Sequence, residues 1–325
     1  MPTPKILLTR RWPSEVEHYL SQRYDVTVNE HDTPPDAAAL QAALASYDAV
    51  CPTVTDKLTA AVLAAAGAGA RVKILGNYGV GVSHIDLQAC RRLGIVVTNT
   101  PDVLTEATAE IAILLMLMAA RRAGEGERQV RAHEWVGWAP TRMIGADVTG
   151  KTLGLVGFGR IGQATAQKAH HGFGMQVIYY SRKRATPAVE ARTGGQHCAS
   201  LDDLLERADF VSLHCPGGAE TRHLLNAERL DRMKRTAFLI NTARGEVVDE
   251  AALVEALRNR VIAGAGLDVY EHEPRVPEGF LGLENVVLLP HLGSATLETR
   301  VAMGMRVAEN LERFFAGLEP HDRVA

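Results

Sequence analysis

Short apolar runs alternate with longer amphipathic or Ala-rich segments from one end of the 325-residue chain to the other. Apolar runs of about 4–8 residues bounded by turn signals suit strands buried on both faces, and helical segments between them imply parallel sheets. The first series of candidate strands is Lys5–Thr9, Asp25–Val28, Ala49–Val54, Val72–Leu75 and Ile95–Thr98, with helical stretches such as Ala60–Ala70 between them. The second is Thr152–Gly157, Gln176–Tyr180, Phe210–His214, Ala237–Asn241, Ala263–Gly266 and Val286–Leu289, with helices such as Ile161–His171 and Glu250–Arg258. A long helix from about Leu104 to Arg122 joins the two series; its centre is apolar all round, so it should be buried. A last helix, Thr296 to Phe315, ends at Gly317. The expectation is an α/β protein of two Rossmann-like or flavodoxin-like domains with parallel sheets. Residues 1–100 and 292–325 would form one, and residues 101–291 the other.

Composition removes several classes of function. The 35 Lys+Arg and 38 Asp+Glu leave a net charge of −3, so no global basic field for nucleic acid exists. Cys51, Cys90, Cys198 and Cys215 show neither a C-x-x-C pair nor metal-ligand spacing, which fits reduced thiols in the cytoplasm and no metal site. The apolar run near the N-terminus is too short for a signal peptide. The longest such run, Ile111–Ala120, falls well short of the roughly 20 residues of a membrane span. No membrane partner is expected.

Gly157-Phe158-Gly159-Arg160-Ile161-Gly162 is a G-x-G-x-x-G that follows an apolar strand and opens a helix. The first glycine permits the tight turn, the second lets the backbone approach a pyrophosphate, and the third lets helix and strand pack closely. A lone match means little among 29 glycines; the strand–loop–helix context makes it a dinucleotide site. The next strand ends in Ser181-Arg182-Lys183-Arg184, where an Asp or Glu would ordinarily accept from a ribose 2′-hydroxyl. A hydroxyl and three cations suit a 2′-phosphate, so NADP(H) is preferred and NAD(H) stays open. The bland alternative is a solvated basic turn.

Several further blocks, in fixed order, resemble the D-isomer-specific 2-hydroxyacid dehydrogenase family, nearest its glyoxylate and hydroxypyruvate reductases. They are Asn77-Tyr78-Gly79-Val80-Gly81, Asn99-Thr100-Pro101 with Leu104 to Glu110, and Gly150 to Gly154. Asn241-Thr242-Ala243-Arg244-Gly245, Gly266 to Pro274 and Pro290 to Thr296 follow. The resemblance implies an active site in the cleft between the domains and a homodimer formed around the Leu104–Arg122 helix. It also implies backbone amides at Val80 and Gly81 for the substrate carboxylate, Asp268 beside the nicotinamide carboxamide, and Pro216 in the loop under the cofactor. Trp138 resembles a tryptophan placed near the neighbouring subunit's substrate; an interface aromatic without that contact is the equal alternative. One departure is clear. After His214-Cys215-Pro216 the family usually shows a Leu-Thr-Pro-like stretch, and this chain has Gly217-Gly218-Ala219.

Reduction of a 2-keto acid needs its carboxylate held, its carbonyl polarised, a hydride delivered and a proton supplied. An Arg can bridge carboxylate and carbonyl oxygens, and a His, with an unperturbed pKa of about 6.5, suits proton donation. A carboxylate beside the ring would orient it and stabilise its charged form. Arg244, Glu273 and His291 match the family's catalytic residues, and each sits just beyond a candidate strand end. Singly, each could be a loop ion pair or a turn residue; in order, behind the phosphate loop, they form a set. The expected activity is NADPH-dependent reduction of glyoxylate or hydroxypyruvate to the D-2-hydroxy acid. A broader 2-ketoacid reductase (2-ketogluconate, for example) and a dinucleotide-sensing protein resembling the C-terminal-binding corepressors are the alternatives.

Overall fold

The computed structural model describes residues 2–65, 67 and 70–325. Its contacts divide the chain into two units, Met1–Leu104 with Ala295–Ala325, and Thr105–Ser294. The first unit holds five strands: β1 (Lys5–Leu8), β2 (Asp25–Val28), β3 (Ala49–Cys51), β4 (Ile74–Gly76) and β5 (Val96–Thr98). They form one sheet in the order β2-β1-β3-β4-β5, every pair parallel. β3 and β4 are buried throughout, as strands covered by helices on both faces must be. The helix predicted over Ala60–Ala70 is seen from Ala60 to Ala65; Ala66, Ala68 and Gly69 lie outside the described residues.

The C-terminal segment belongs to this first unit for identifiable reasons. Helix Leu297–Phe315 is capped by the Thr296 hydroxyl, which accepts from the Thr299 amide at 3.1 Å. It crosses β4 at Gly76, where an added Cβ would stand 2.7 Å from Val307. Beyond it, buried Asp322 accepts from Arg306 at 2.6 and 3.0 Å and from Asn310 at 2.9 Å, and the tail then pairs with Val97.

The second unit holds β6 (Thr152–Val156), β7 (Gln176–Tyr180), β8 (Gly195–His197), β9 (Phe210–Leu213), β10 (Phe238–Asn241), β11 (Gly264–Leu267) and β12 (Val286–Leu288). All pairs are parallel, in the order β12-β11-β10-β9-β6-β7-β8. The strand order reverses between β6 and β9, and ligands of open α/β sheets bind beyond the carboxyl ends of the strands at such a point. β8 escaped the sequence reading because Gly-Gln-His is short, polar and at the sheet edge.

The connecting helix spans Thr105–Ala120 and packs on β11, where a Cβ at Gly266 would meet Leu115 at 2.9 Å. Its expected burial on all sides needs correction. Leu114 is 42% exposed and Ile111 and Ile113 are only half-buried, so the described residues cover one apolar face of the helix incompletely. Val130, Trp135, Val136, Trp138 and Ile144, from the segment that follows, are exposed as well. Among the described residues, no helix is long and apolar enough to cross a membrane, and no group of His, Cys, Asp or Glu could hold a metal ion.

Candidate active site

Arg244, Glu273 and His291 follow β10, β11 and β12, three neighbouring strands, at their carboxyl ends. Each side chain is placed by the loop that carries it. The Asn241 amide donates to the Arg244 carbonyl at 2.9 Å and its oxygen accepts from the Ala243 amide at 3.0 Å, fixing the turn in which Arg244 stands. Gly245 then lies against the Tyr270–Glu271 peptide so closely that a Cβ would overlap it. Gly245→Ala is therefore expected to destabilise the fold by more than about 3 kcal/mol, read from the denaturant midpoint, since backbone on both sides must move.

His291 Nδ1 and Glu273 Oε2 are 2.8 Å apart, and Glu273 Oε1 accepts from the Tyr270 amide at 3.0 Å. The Glu273 carboxylate thus fixes the ring and leaves Nε2, which bonds to no described residue, for a ligand. Burial pushes the Glu273 carboxyl upward. The hydrogen bond and charge of His291, the Tyr270 amide and the Arg244 guanidinium outweigh it and hold the group below the ordinary carboxylate range. His291 itself has φ of 57°, a left-handed conformation that its loop imposes. Asp268 is what imposes it. Its carbonyl accepts from the His291 amide at 2.9 Å, and its buried carboxylate accepts from the amides of Leu292 at 2.6 Å and Gly293 at 2.8 Å.

Arg244 donates through Nη1 to the Ala243 carbonyl at 2.6 Å; no described residue takes the rest of its guanidinium. Burial lowers its pKa, and the carboxylates of Glu273 and Glu246 act in the opposite sense. A half-buried, partly satisfied cation is suited to bind an anion, and a fixed histidine with a free ring nitrogen is suited to exchange a proton.

The phosphate loop lies beyond β6. Gly157, at φ of 94°, abuts the loop after β9: a Cβ there would come within 2.7 Å of the Cys215 amide nitrogen. Helix Arg160–Phe173, with Ile161 and Gly162 in its first turn, starts at Gly159, which has no side chain to cap the first-turn amides. Tyr179 of β7 and Arg184 beyond it converge on Glu190, the arginine through two 2.9 Å bonds, and these hydrogen bonds hold Glu190 down to about 2. Arg184 is therefore committed within its own turn. Arg182 and Lys183 stay at the surface, Arg182 in an exposed pair with Glu220 at 3.0 Å, and the Ser181 hydroxyl donates to the Lys183 carbonyl. Pro216 is at the loop after β9.

Val80 and Gly81 belong to the first unit. The Asn77 side-chain amide donates to the Gly79 and Gly81 carbonyls at 2.9 and 3.0 Å, and that of Asn99 to the Val80 carbonyl at 2.9 Å. With all three carbonyls turned onto asparagines, the Val80 and Gly81 amides donate to no described residue and are available to an anion. Sequence reasoning gave no role to Asn77 or Asn99, although both stand inside the quoted blocks; an Asn flanking a Gly-rich turn was the signal. Trp138 is 83% exposed, so the described residues leave most of the ring uncovered.

Fold and site together describe a dinucleotide-dependent oxidoreductase, and comparison with known proteins is specific about which. Residues 113–293 match the family described as D-isomer specific 2-hydroxyacid dehydrogenase, NAD binding domain. The chain is 46% identical over 321 residues to a glyoxylate reductase of Thermococcus onnurineus (strain NA1), covering 98% of this chain and 94% of that one. Among solved structures, a glyoxylate reductase from Paecilomyes thermophila aligns with TM-score 0.87 at 33% identity, covering 100% and 99% of the two chains. An NADPH-dependent glyoxylate/hydroxypyruvate reductase from Sinorhizobium meliloti, in complex with NADP and malonate, aligns with TM-score 0.86 at 36% identity, covering 99% and 97%. The chain belongs to the D-isomer-specific 2-hydroxyacid dehydrogenase family and is an NAD(P)-binding oxidoreductase.

Proposed function

We propose that this protein reduces glyoxylate, hydroxypyruvate or a similarly small 2-keto acid to the D-2-hydroxy acid with NADPH. The observation that carries the reading is the 2.8 Å pairing of His291 with an ionised Glu273 beside the underused guanidinium of Arg244. When bound, the nicotinamide supplies the hydride to the carbonyl carbon. Arg244 holds the substrate's carboxylate and keto oxygen, His291 donates from Nε2 to the oxygen that gains charge, and Glu273 stabilises the charged ring. Residues 1–100 and 292–325 are the substrate domain, and the amides of Val80 and Gly81 are its donors for a carboxylate. Gly157 to Gly162 cradle the pyrophosphate, with Pro216 and Asp268 lining the nicotinamide end. Turnover across a panel of 2-keto acids with NADPH and NADH tests this; cofactor binding with negligible turnover would mark a dinucleotide sensor instead.

NADPH preference rests on Ser181, Arg182 and Lys183, a strand-end turn whose own sequence has no Asp or Glu for a ribose hydroxyl. Arg182 exchanges its exposed partner Glu220 for the 2′-phosphate at little cost, because a fully solvated pair is weak. Arg182→Ala is expected to weaken NADPH binding by about 1.5–3 kcal/mol and NADH binding little, measured by titration. Equal loss for both cofactors contradicts it.

The partner that fits the exposed Leu114, Trp135, Val136 and Trp138 is a second copy of the chain. Sedimentation at micromolar concentration is expected to show a dimer, its interface burying more than about 2,000 Å². A monomer would remove any role of Trp138 at a neighbouring site. Four unpaired cysteines agree with a cytoplasmic location.

A further inference from the structure

Gly217, the first residue of the Gly217-Gly218-Ala219 departure, lies beside the candidate site. A Cβ built on it would overlap Glu246 Oε1 and stand 3.1 Å from Arg244 Cγ. The missing side chain leaves the room that the Glu246 carboxylate occupies. Glu246 is the middle residue of the 3-10 turn Gly245–Val247, directly after Arg244, and its carbonyl accepts from the His223 amide at 2.8 Å. Its position is therefore set by backbone. The carboxylate is half-buried, and no described residue donates a hydrogen bond to it. Arg244 acts on it through space only, the guanidinium being bonded to the Ala243 carbonyl. With no donor among the described residues and its oxygens outside the fully buried atoms, the carboxylate is open to a ligand that brings a donor.

We infer that Glu246 is a specificity-determining residue that accepts a hydrogen bond from a donor on the carbon next to the keto group. The site would then favour 2-keto acids bearing a hydroxyl or ammonium on C3. The inference rests on the proposed reaction, in which Arg244 grips the substrate. A 2-keto acid held through its carboxylate and keto oxygen leaves only its third substituent to differ. In glyoxylate that substituent is a hydrogen and in pyruvate a methyl group; neither can donate to Glu246. Both also bring their own carboxylate near that of Glu246 with no hydrogen bond between substrate and Glu246 to offset the repulsion. The hydroxymethyl group of hydroxypyruvate donates to the carboxylate and offsets that repulsion. A polar group left unpaired discriminates far more strongly against the analogue lacking its partner than an apolar pocket does against one methylene.

The test compares kcat/KM for hydroxypyruvate, pyruvate and glyoxylate, with NADPH, in the native protein, Glu246→Ala and Glu246→Gln. The native enzyme is expected to prefer hydroxypyruvate to pyruvate by more than about 10²-fold. Glu246→Ala should lose at least about tenfold of that ratio while its KM for glyoxylate falls, because the repelling charge is gone. Glu246→Gln, which keeps an acceptor, should fall between. Gly217→Ala, which displaces the carboxylate without altering it, should shift the ratio in the same direction as Glu246→Ala. Equal losses for all three substrates would make Glu246 a support for Arg244 and overturn the inference. Glyoxylate turnover without a preference for hydroxypyruvate over pyruvate would overturn it too, and would leave the proposed reaction standing. No turnover of any keto acid would overturn both.

Discussion

Arg244→Ala is expected to lower kcat/KM for 2-keto acid reduction on the order of 10³-fold, with KM raised as well as kcat reduced. The split follows from the geometry. A guanidinium spending one nitrogen on the Ala243 carbonyl keeps the remainder of its fork for an anion, and a substrate carboxylate is present in ground and transition states alike. Removing that contact raises KM. The keto oxygen gains charge only as the reaction proceeds, so losing the same donor there slows turnover. The substitution also deprives Glu273 of one of the influences that keep it ionised. Arg244→Lys separates charge from shape: it restores a cation without the planar fork and should recover only part of the loss. A variant with lowered kcat and an unchanged KM would mean that Arg244 meets the transition state alone, and the carboxylate would have to be held elsewhere.

Much of this site could be read from the sequence because its geometry is local. Gly157 and Gly162 are forced by close approach of backbone, and the apolar run before them marks β6 without ambiguity. Arg244, Glu273 and His291 each follow a strand of the same sheet, so the alternation that identifies the strands also places the residues. What stayed illegible depends on contacts between distant residues. The commitment of Arg184 to Glu190 and Tyr179 is invisible in a basic tetrapeptide. So is the work of Asp268, whose carboxylate holds the loop of His291 from 24 and 25 positions away. β8 is too short and polar for periodicity to reveal it. The helix Thr105–Ala120 misled in another way. Apolar residues all round predict burial, yet a single chain covers only part of that surface, and sequence does not say whose atoms do the covering.

His291→Ala is expected to lose at least about 10²-fold in turnover, and Glu273→Gln to move the pH profile of reduction without abolishing activity. In the proposed reaction a proton on His291 passes to the keto oxygen as it gains charge, so the rate is expected to fall on the alkaline side. Glu273 sits 2.8 Å from Nδ1, and its pKa is held below the ordinary carboxylate value. It is therefore negatively charged throughout the neutral and alkaline range, where it favours the protonated ring. Glutamine keeps an oxygen to accept the Nδ1 proton and removes the charge. The protonated ring is then less favoured, and the alkaline limb should move to lower pH. In the direction of hydroxy-acid oxidation His291 must start unprotonated, so the same variant should extend activity toward lower pH. Opposite consequences in the two directions from one substitution are a signature that loss of packing cannot produce. If Glu273→Gln lowered the rate uniformly at every pH, Glu273 would be acting on ring orientation alone. If His291→Ala retained near-native turnover with the native profile, the proton would come from another group.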